Sequence, residues 1–267
     1  MEPFWPYLAA AFGLVVGSFL NVVINRLKQK KTLGGRSECP HCRHELSAKD
    51  LFPVLSFVFL RARCRYCGKR ISWQYPVVEL GTAATFLLVA LRMAPGPEAF
   101  FILVLACFFI VIAVYDCKHM LILDKVVFPG LAVAVTYALF RDFSGGCQAW
   151  MSLSCATVSG LAGIVAISGF FLLQYWFSRN FASVDWIGFG DVKLGLLLGM
   201  AVGFPLAIFL LFTGYTLGAI VGVYLLATSK AGMQSQLPFG TFLALSAIIT
   251  LLYGQGLMGA YLQLIGF

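Results

Sequence analysis

Two aspartates stand where a membrane-spanning sequence accommodates charge least easily. Asp116 closes the apolar run Phe100–Tyr115. Asp191 sits in Gly188-Phe189-Gly190-Asp191-Val192-Lys193, directly ahead of the apolar run Leu194–Met200. A carboxylate at the mouth of a membrane helix is costly and therefore points to function. Two acids held close together cannot both ionise cheaply, so they share one proton. The neutral acid can polarise a peptide carbonyl while its ionised partner activates water. Gly188 and Gly190 allow a positive φ or a close approach to another chain, and Lys193 ends the motif. Helix dipoles favour Asp191 as the ionised member, because it opens a helix whereas Asp116 closes one. A coupled pair titrates as a unit, so its two apparent pKa values belong to the pair. Two other readings use the same residues: an ordinary helix cap at Asp191, and a transporter whose acids relay protons or ions.

Cysteines form the second constellation. Cys39-Pro-His-Cys42 and Cys64-Arg-Tyr-Cys67 share not only the Cys-x-x-Cys spacing but its flank, Cys-x-x-Cys-x-x-x-[Leu/Ile]-Ser, repeated 25 residues on. Two such turns supply four thiolates for a tetrahedral zinc ion, a closed set that implies a structural role. Disulfides are the alternative, disfavoured in a reducing cytoplasm. Cys107, Cys117, Cys147 and Cys155 show no metal spacing, and Cys107 and Cys155 are expected simply to pack inside spans.

The elements that must position these groups are membrane helices. Of 267 residues, 60% are hydrophobic and 11% charged, against about 25% charged in soluble domains; the mean hydropathy is +0.90. Apolar runs predict an all-α polytopic protein with about eight spans, near 6–25, 77–91, 99–115, 126–140, 151–177, 192–203, 205–227 and 237–253. The sixth is short and ends in the turn Gly203-Phe204-Pro205. Arg26, Lys28, Lys30 and Lys31 follow the first span, which places the N-terminus outside and the next loop in the cytoplasm. On this topology every Lys and Arg except Arg92 and Arg141 lies on the inner side. Residues 1–27 then form the first helix, 28–76 a small cytoplasmic zinc-knuckle domain between helices 1 and 2, and 77–267 the remaining membrane domain. The net charge of +8 is explained by orientation and anionic lipid, so no nucleic-acid partner is expected.

Other polar residues cluster near the inner edge. Ser18, Asn21 and Asn25 recur on one face of the first span, as interhelical hydrogen bonding requires. Glu79 lies a turn into the second span, after Pro76, which suits a helix start. His119 and Asp124 follow Asp116, and Asp185 lies in the loop before Gly188. The run Leu51–Leu60 is too short to span and is expected to cover the metal site or lie at the interface.

These motifs, taken in order, carry a resemblance: Gly17-Ser18-Phe19-Leu20-Asn21-Val22, the paired knuckles, Tyr75-Pro76-Val77-Val78-Glu79, Asp116 with Asp124, Gly188-Phe189-Gly190-Asp191, and Pro238-Phe239-Gly240. The chain resembles the type IV prepilin peptidases, intramembrane aspartyl proteases of the Gly-x-Gly-Asp kind, from about residue 13 to about residue 245. The resemblance implies cleavage of the short basic leader of prepilins or pseudopilins at the cytoplasmic side of the bacterial inner membrane, with Asp116 and Asp191 as catalytic residues. It also implies methylation of the new N-terminus with S-adenosylmethionine, associated with the cysteine-bearing loop; a peptidase without methyl transfer is the alternative. Asn21, Arg26, Glu79, Gly81, Asp124 and Asp185 become candidates for leader binding or methyl transfer. Two positions depart from the family pattern. Lys28 stands where proline usually follows Arg-Leu, and Leu123 stands where proline usually precedes Asp124, so the loop geometry at both places departs from the family's. No glycine-rich nucleotide loop is evident, and the oligomeric state is not legible.

Overall fold

The computed structural model describes residues 4–29, 31–32, 34–147, 153–181, 187–228 and 236–264. They form helices α1 (Trp5–Gln29), α2 (Leu55–Phe59), α3 (Gln74–Arg92), α4 (Pro97–His119), α5 (Asp124–Arg141), α6 (Ala156–Phe181), α7 (Phe189–Val202), α8 (Leu206–Ala227) and α9 (Phe239–Leu264). Among the described residues, seven of these are long and apolar enough to cross a membrane: α1, α3, α4, α5, α6, α8 and α9. The eighth expected span is α7, only 14 residues long. The protein is therefore a multi-pass, all-helical membrane protein. Charges suit the helix ends: Glu98 opens α4 and Lys118 and His119 close it, while Asp124 opens α5 and Arg141 closes it.

The chain divides into two compact units at Leu103–Val104. In the first, α1 packs on α3 through glycine. A β-carbon on Gly13 would lie 2.8 Å from the Ala83 Cα, and one on Gly17 would lie 2.7 Å from the Glu79 Cα. Between these helices runs the cysteine-bearing segment, with two isolated β-bridges, Glu38–Glu45 and Arg63–Arg70. The apolar run Leu51–Leu60 becomes α2; its buried Phe57 stacks on Trp73 with ring centroids 5.0 Å apart.

In the second unit, α7 is enclosed by α5, α6, α8 and α9. Leu194, Leu197 and Leu198 have no exposed surface. Its tightest contact is with α6, where Gly163 and Gly199 face one another: a β-carbon on Gly199 would lie 2.4 Å from backbone atoms of Gly163 and Ile164. Close helix approach through small residues is how membrane helices gain packing energy without a hydrophobic driving force. The turn after α7 is held by Ser159, whose hydroxyl donates to the Phe204 carbonyl (2.8 Å) while its own carbonyl accepts from the Phe204 N–H (3.0 Å).

The connection between α5 and α6 corrects one expectation. Cys155 does not lie inside a span; it precedes α6 and is disulfide-bonded to Cys147. The predicted span began too early, because apolar residues before Ala156 belong to the connection. Asp142, at the end of α5, caps α6, accepting from the N–H groups of Ala156 (2.6 Å) and Thr157 (3.1 Å).

Candidate functional site

Asp116 lies in the last turn of α4 and is 4% exposed; Asp191 lies in the first turn of α7, half-buried. Both belong to the second unit. A single side chain, Ile122 in the α4–α5 connection, organises their surroundings. A β-carbon on Gly190 would lie 3.1 Å from Ile122 Cβ, and one on Gly240 would lie 3.1 Å from Ile122 Cδ1 and 3.1 Å from Asp116 Oδ2. Glycine at both positions lets α7 and α9 close on the same plug. Gly188 works differently from expectation: its φ is −77°, and an added β-carbon would meet the Asp191 carboxylate at 3.6 Å and the Gly190 nitrogen at 3.9 Å, both ordinary contacts. Of the two motif glycines, Gly190 alone is demanded by close approach, and neither has a positive φ.

Asp116 does close α4, but it also sits on the first turn of α9. Asp116 Oδ2 accepts from the Thr241 N–H (2.7 Å) and lies 3.2 Å from the Thr241 hydroxyl, so both acids meet the N-terminal end of a helix. Three residues of Pro238-Phe239-Gly240-Thr241 have a part in this. Phe239 is wedged between Phe171 of α6 (6.0 Å) and Tyr215 of α8 (4.7 Å), Gly240 leaves room for the carboxylate, and Thr241 binds it. Thr241 and Ile122 are the site residues that sequence reasoning missed. The family motif that ends at Gly240, one residue short of Thr241, was the available signal.

Lys193 is bound rather than free. Its ammonium contacts both oxygens of Asp124, each at 2.8 Å, and lies 5.5 Å from the centre of the Phe189 ring. The pair joins the first turn of α5 to the N-terminal part of α7.

In the first unit, Cys39, Cys42, Cys64 and Cys67 have their sulfurs within 4.8 Å of one another, and none is disulfide-bonded. Cys39 and Cys67 Sγ are 3.9 Å apart; a regular tetrahedron with zinc–sulfur bonds of about 2.3 Å has edges of about 3.8 Å. The donor set fits a tetrahedral metal ion. The repeat legible in the sequence is a repeat in space as well. Cys39 N–H donates to the His44 carbonyl (3.0 Å) and Cys64 N–H to the Lys69 carbonyl (2.8 Å). The residue after each second cysteine, Arg43 or Gly68, has a positive φ, 58° and 70° respectively. Burial opposes ionisation of Cys39, but the N–H groups of Cys42 and His41 and the neighbouring thiols outweigh it and bring its thiol down to about 7. Asp50 ties the knuckles together, accepting from Arg65 (2.8 Å) and the Tyr66 hydroxyl (3.0 Å). Burial works against its charge, yet Arg65, Ser47 and Tyr66 hold its carboxyl down to about 2.

The remaining predicted residues have structural partners in the first unit, with two exceptions. Asn21 donates to the carbonyls of Gly17 and Tyr75 and accepts from Gln74. Arg26 clasps the loop beyond α1 through the carbonyls of Thr32, Gly34, Gly35 and Arg36. Glu79 is 6% exposed and accepts from the Val54 N–H (2.8 Å), holding a residue with φ 58° just before α2. Gly81 has open space where a β-carbon would be, so packing does not explain it. Asp185 lies outside the described residues.

Comparison with known proteins agrees with this picture. The Bacterial Peptidase A24 N-terminal domain matches residues 11–93, and the Type IV leader peptidase family matches residues 103–223. A Pseudomonas putida protein named prepilin leader peptidase/N-methyltransferase is 33% identical over 291 residues, covering 100% of this chain and 97% of its own. Proteins of the same name from Aeromonas hydrophila (30% identical; 97% of this chain and 94% of theirs) and Bacillus subtilis (30%; 95% and 96%) are similarly close. No solved structure matches. With full-length relatives and two family models in register with its two units, the chain belongs to the type IV leader peptidase family.

Proposed function

We propose that this protein is a prepilin leader peptidase that hydrolyses its substrate with the pair Asp116 and Asp191. What supports the reading is that Gly190, the neighbour of Asp191, and Gly240, against the Asp116 carboxylate, both pack on Ile122 although they come from helices far apart in sequence. In the first step the ionised acid takes a proton from water as the water oxygen bonds to the scissile carbonyl carbon, and the neutral acid gives its proton to the carbonyl oxygen. The two acids have then exchanged roles. On collapse, the acid now protonated gives its proton to the leaving nitrogen, the other recovers one from the hydroxyl, and the C–N bond breaks. Lys193 and Asp124 steady the helix starts. The substrate is a prepilin or pseudopilin with a basic leader, whose apolar helix enters from the bilayer. Extended backbone at that depth requires surrounding protein or a water-filled cavity.

The acids and residues 28–76 face the cytoplasm of a bacterial inner membrane, and the N-terminus lies outside. Two observations support this orientation: the distribution of Lys and Arg, and the cysteines, which are paired at 147–155 on the side assigned outside and free at the four knuckle positions assigned inside. Zinc held by Cys39, Cys42, Cys64 and Cys67 would fold the segment between α1 and α3.

Methylation of the product, named in the relatives, is the second activity we assign, with S-adenosylmethionine as donor. The cleft of about 360 Å³ beside α1, bordered by Ser18, Phe19, Val22, Leu51, Phe52 and Pro53, is mostly apolar. Ser18 and Ser37 are its only polar side chains, too few for the donor's ribose and amino-acid end, so it does not fit that group. Mass spectrometry of a prepilin incubated with the protein, with and without S-adenosylmethionine, tests both activities. Leader loss without donor and a further methyl with it are expected. Full cleavage by either Asp116→Asn or Asp191→Asn would overturn the dyad.

A further inference from the structure

The Thr241 hydroxyl has one hydrogen and two acceptors. Its oxygen lies 3.0 Å from the Ala113 carbonyl and 3.2 Å from Asp116 Oδ2. A peptide carbonyl can only accept, and so can an ionised carboxylate; a protonated carboxyl can donate. The hydroxyl can therefore satisfy Asp116 in either state. With Asp116 ionised, it turns its hydrogen to Oδ2, alongside the Thr241 N–H at 2.7 Å. With Asp116 protonated, it turns its hydrogen to the Ala113 carbonyl and offers a lone pair to the carboxyl proton. Unpaired polar groups in so buried a place cost about 1–3 kcal/mol each, so a partner that serves one state alone would favour that state and hinder the exchange of roles.

We propose that Thr241 is a positioning residue for the hydrolysis, a rotor whose hydroxyl follows the dyad proton between the Ala113 carbonyl and Asp116. The inference rests on the dyad reading and deepens it. Within one turnover Asp116 passes from ionised to protonated or the reverse, whichever state it starts in, and Thr241 keeps the carboxyl in one place while this happens. The neighbouring residues leave the rotor room and fix its axis. Phe239 is clamped between α6 and α8, and Gly240 lies against the carboxylate without a side chain to displace it.

The test compares Thr241→Val, Thr241→Ser and Thr241→Ala in purified protein cleaving a prepilin, with kcat and KM measured per folded molecule and thermal unfolding in parallel. Valine keeps the shape and the N–H but loses the hydroxyl; serine keeps the hydroxyl. The expected result is a fall in kcat of about ten- to a hundredfold for Val, with KM within twofold, and kcat within about threefold of the parent for Ser. Ala, which loses the hydroxyl with less bulk, should match Val and stands in for it if Val is not recovered in folded form. A hydroxyl that only ties α9 to the end of α4 would lower the unfolding temperature and leave kcat per folded molecule unchanged; that outcome overturns the rotor. So does a serine variant as slow as valine. If Thr241→Val is active while Asp116→Asn is dead, the dyad stands and this inference alone fails.

Discussion

Adding one methyl group at Gly199 should disable the site from a distance. The new β-carbon would lie 2.4 Å from Gly163 C and Ile164 N and 2.6 Å from Gly163 O. Comfortable contacts to carbon are about 3.5–4.0 Å, so α6 and α7 must part by about 1 Å. Flexible side chains cannot absorb this, because every one of those contacts is backbone. Nor can α7 retreat easily, since Leu194, Leu197 and Leu198 are fully buried against its other neighbours. Overpacking of this kind costs about 1–3 kcal/mol. Asp191, two turns away on the same short helix, would be carried with it, and a misplacement of about 1 Å in a catalytic group can cost about a hundredfold in rate. The assay is prepilin cleavage by Gly199→Ala in detergent, with kcat, KM and the unfolding temperature measured together. The matched control is Gly169→Ala on α6, where an added β-carbon meets nothing and better helix propensity should leave stability equal or slightly higher. Cleavage by Gly199→Ala within twofold of the parent, at unchanged unfolding temperature, would refute the claim that this glycine contact sets the acid's position.

Three further outcomes follow from the cysteines. Chelation, or Cys64→Ser, should release about one zinc per chain and expose the remaining knuckle thiols to alkylation, because metal binding and folding of such a segment are coupled; metal analysis of the purified protein checks it, and a metal-free protein with unreactive thiols would contradict it. In spheroplasts under reducing conditions, an impermeant maleimide should label Cys147 and Cys155 but none of the knuckle cysteines. Loss of the disulfide in Cys147→Ser should cost about 2–3 kcal/mol at most, as chain entropy gives for so short a loop.

Much of this molecule is legible in its sequence because its strongest signals are local. The knuckles announce themselves by spacing and flank, and the spaced glycines and thiols need no distant partner to be recognised. The acids are visible because charge in an apolar run is costly. What escapes the sequence is long-range. Thr241 reaches Asp116 across 125 positions, and the motif that ends at Gly240 marks the place without naming the partner. Cys155 looked like a packed residue because hydropathy alone cannot tell an apolar connection from the first turn of α6. Glu79 and Asn21 have the composition of a site, but their hydrogen bonds turn inward to Val54, Gly17, Tyr75 and Gln74. Polar residues near a membrane edge read alike until their partners are known.

The brevity of α7 has a consequence for which peptide bond is cut. Fourteen residues rise only about 21 Å, against about 30 Å of hydrocarbon. With the turn Gly203-Phe204-Pro205 level with one face, Asp191, the third residue of α7, would stand roughly 12 Å short of the other. A substrate helix spanning the same bilayer would have to unravel about four residues, at about 3.3 Å each, to bring a bond to that depth. The helix then acts as a depth gauge, choosing the bond by its distance along the substrate from the far face of the membrane. Lengthening the substrate's apolar segment should move the cut or prevent it even when the residues around the bond are unchanged.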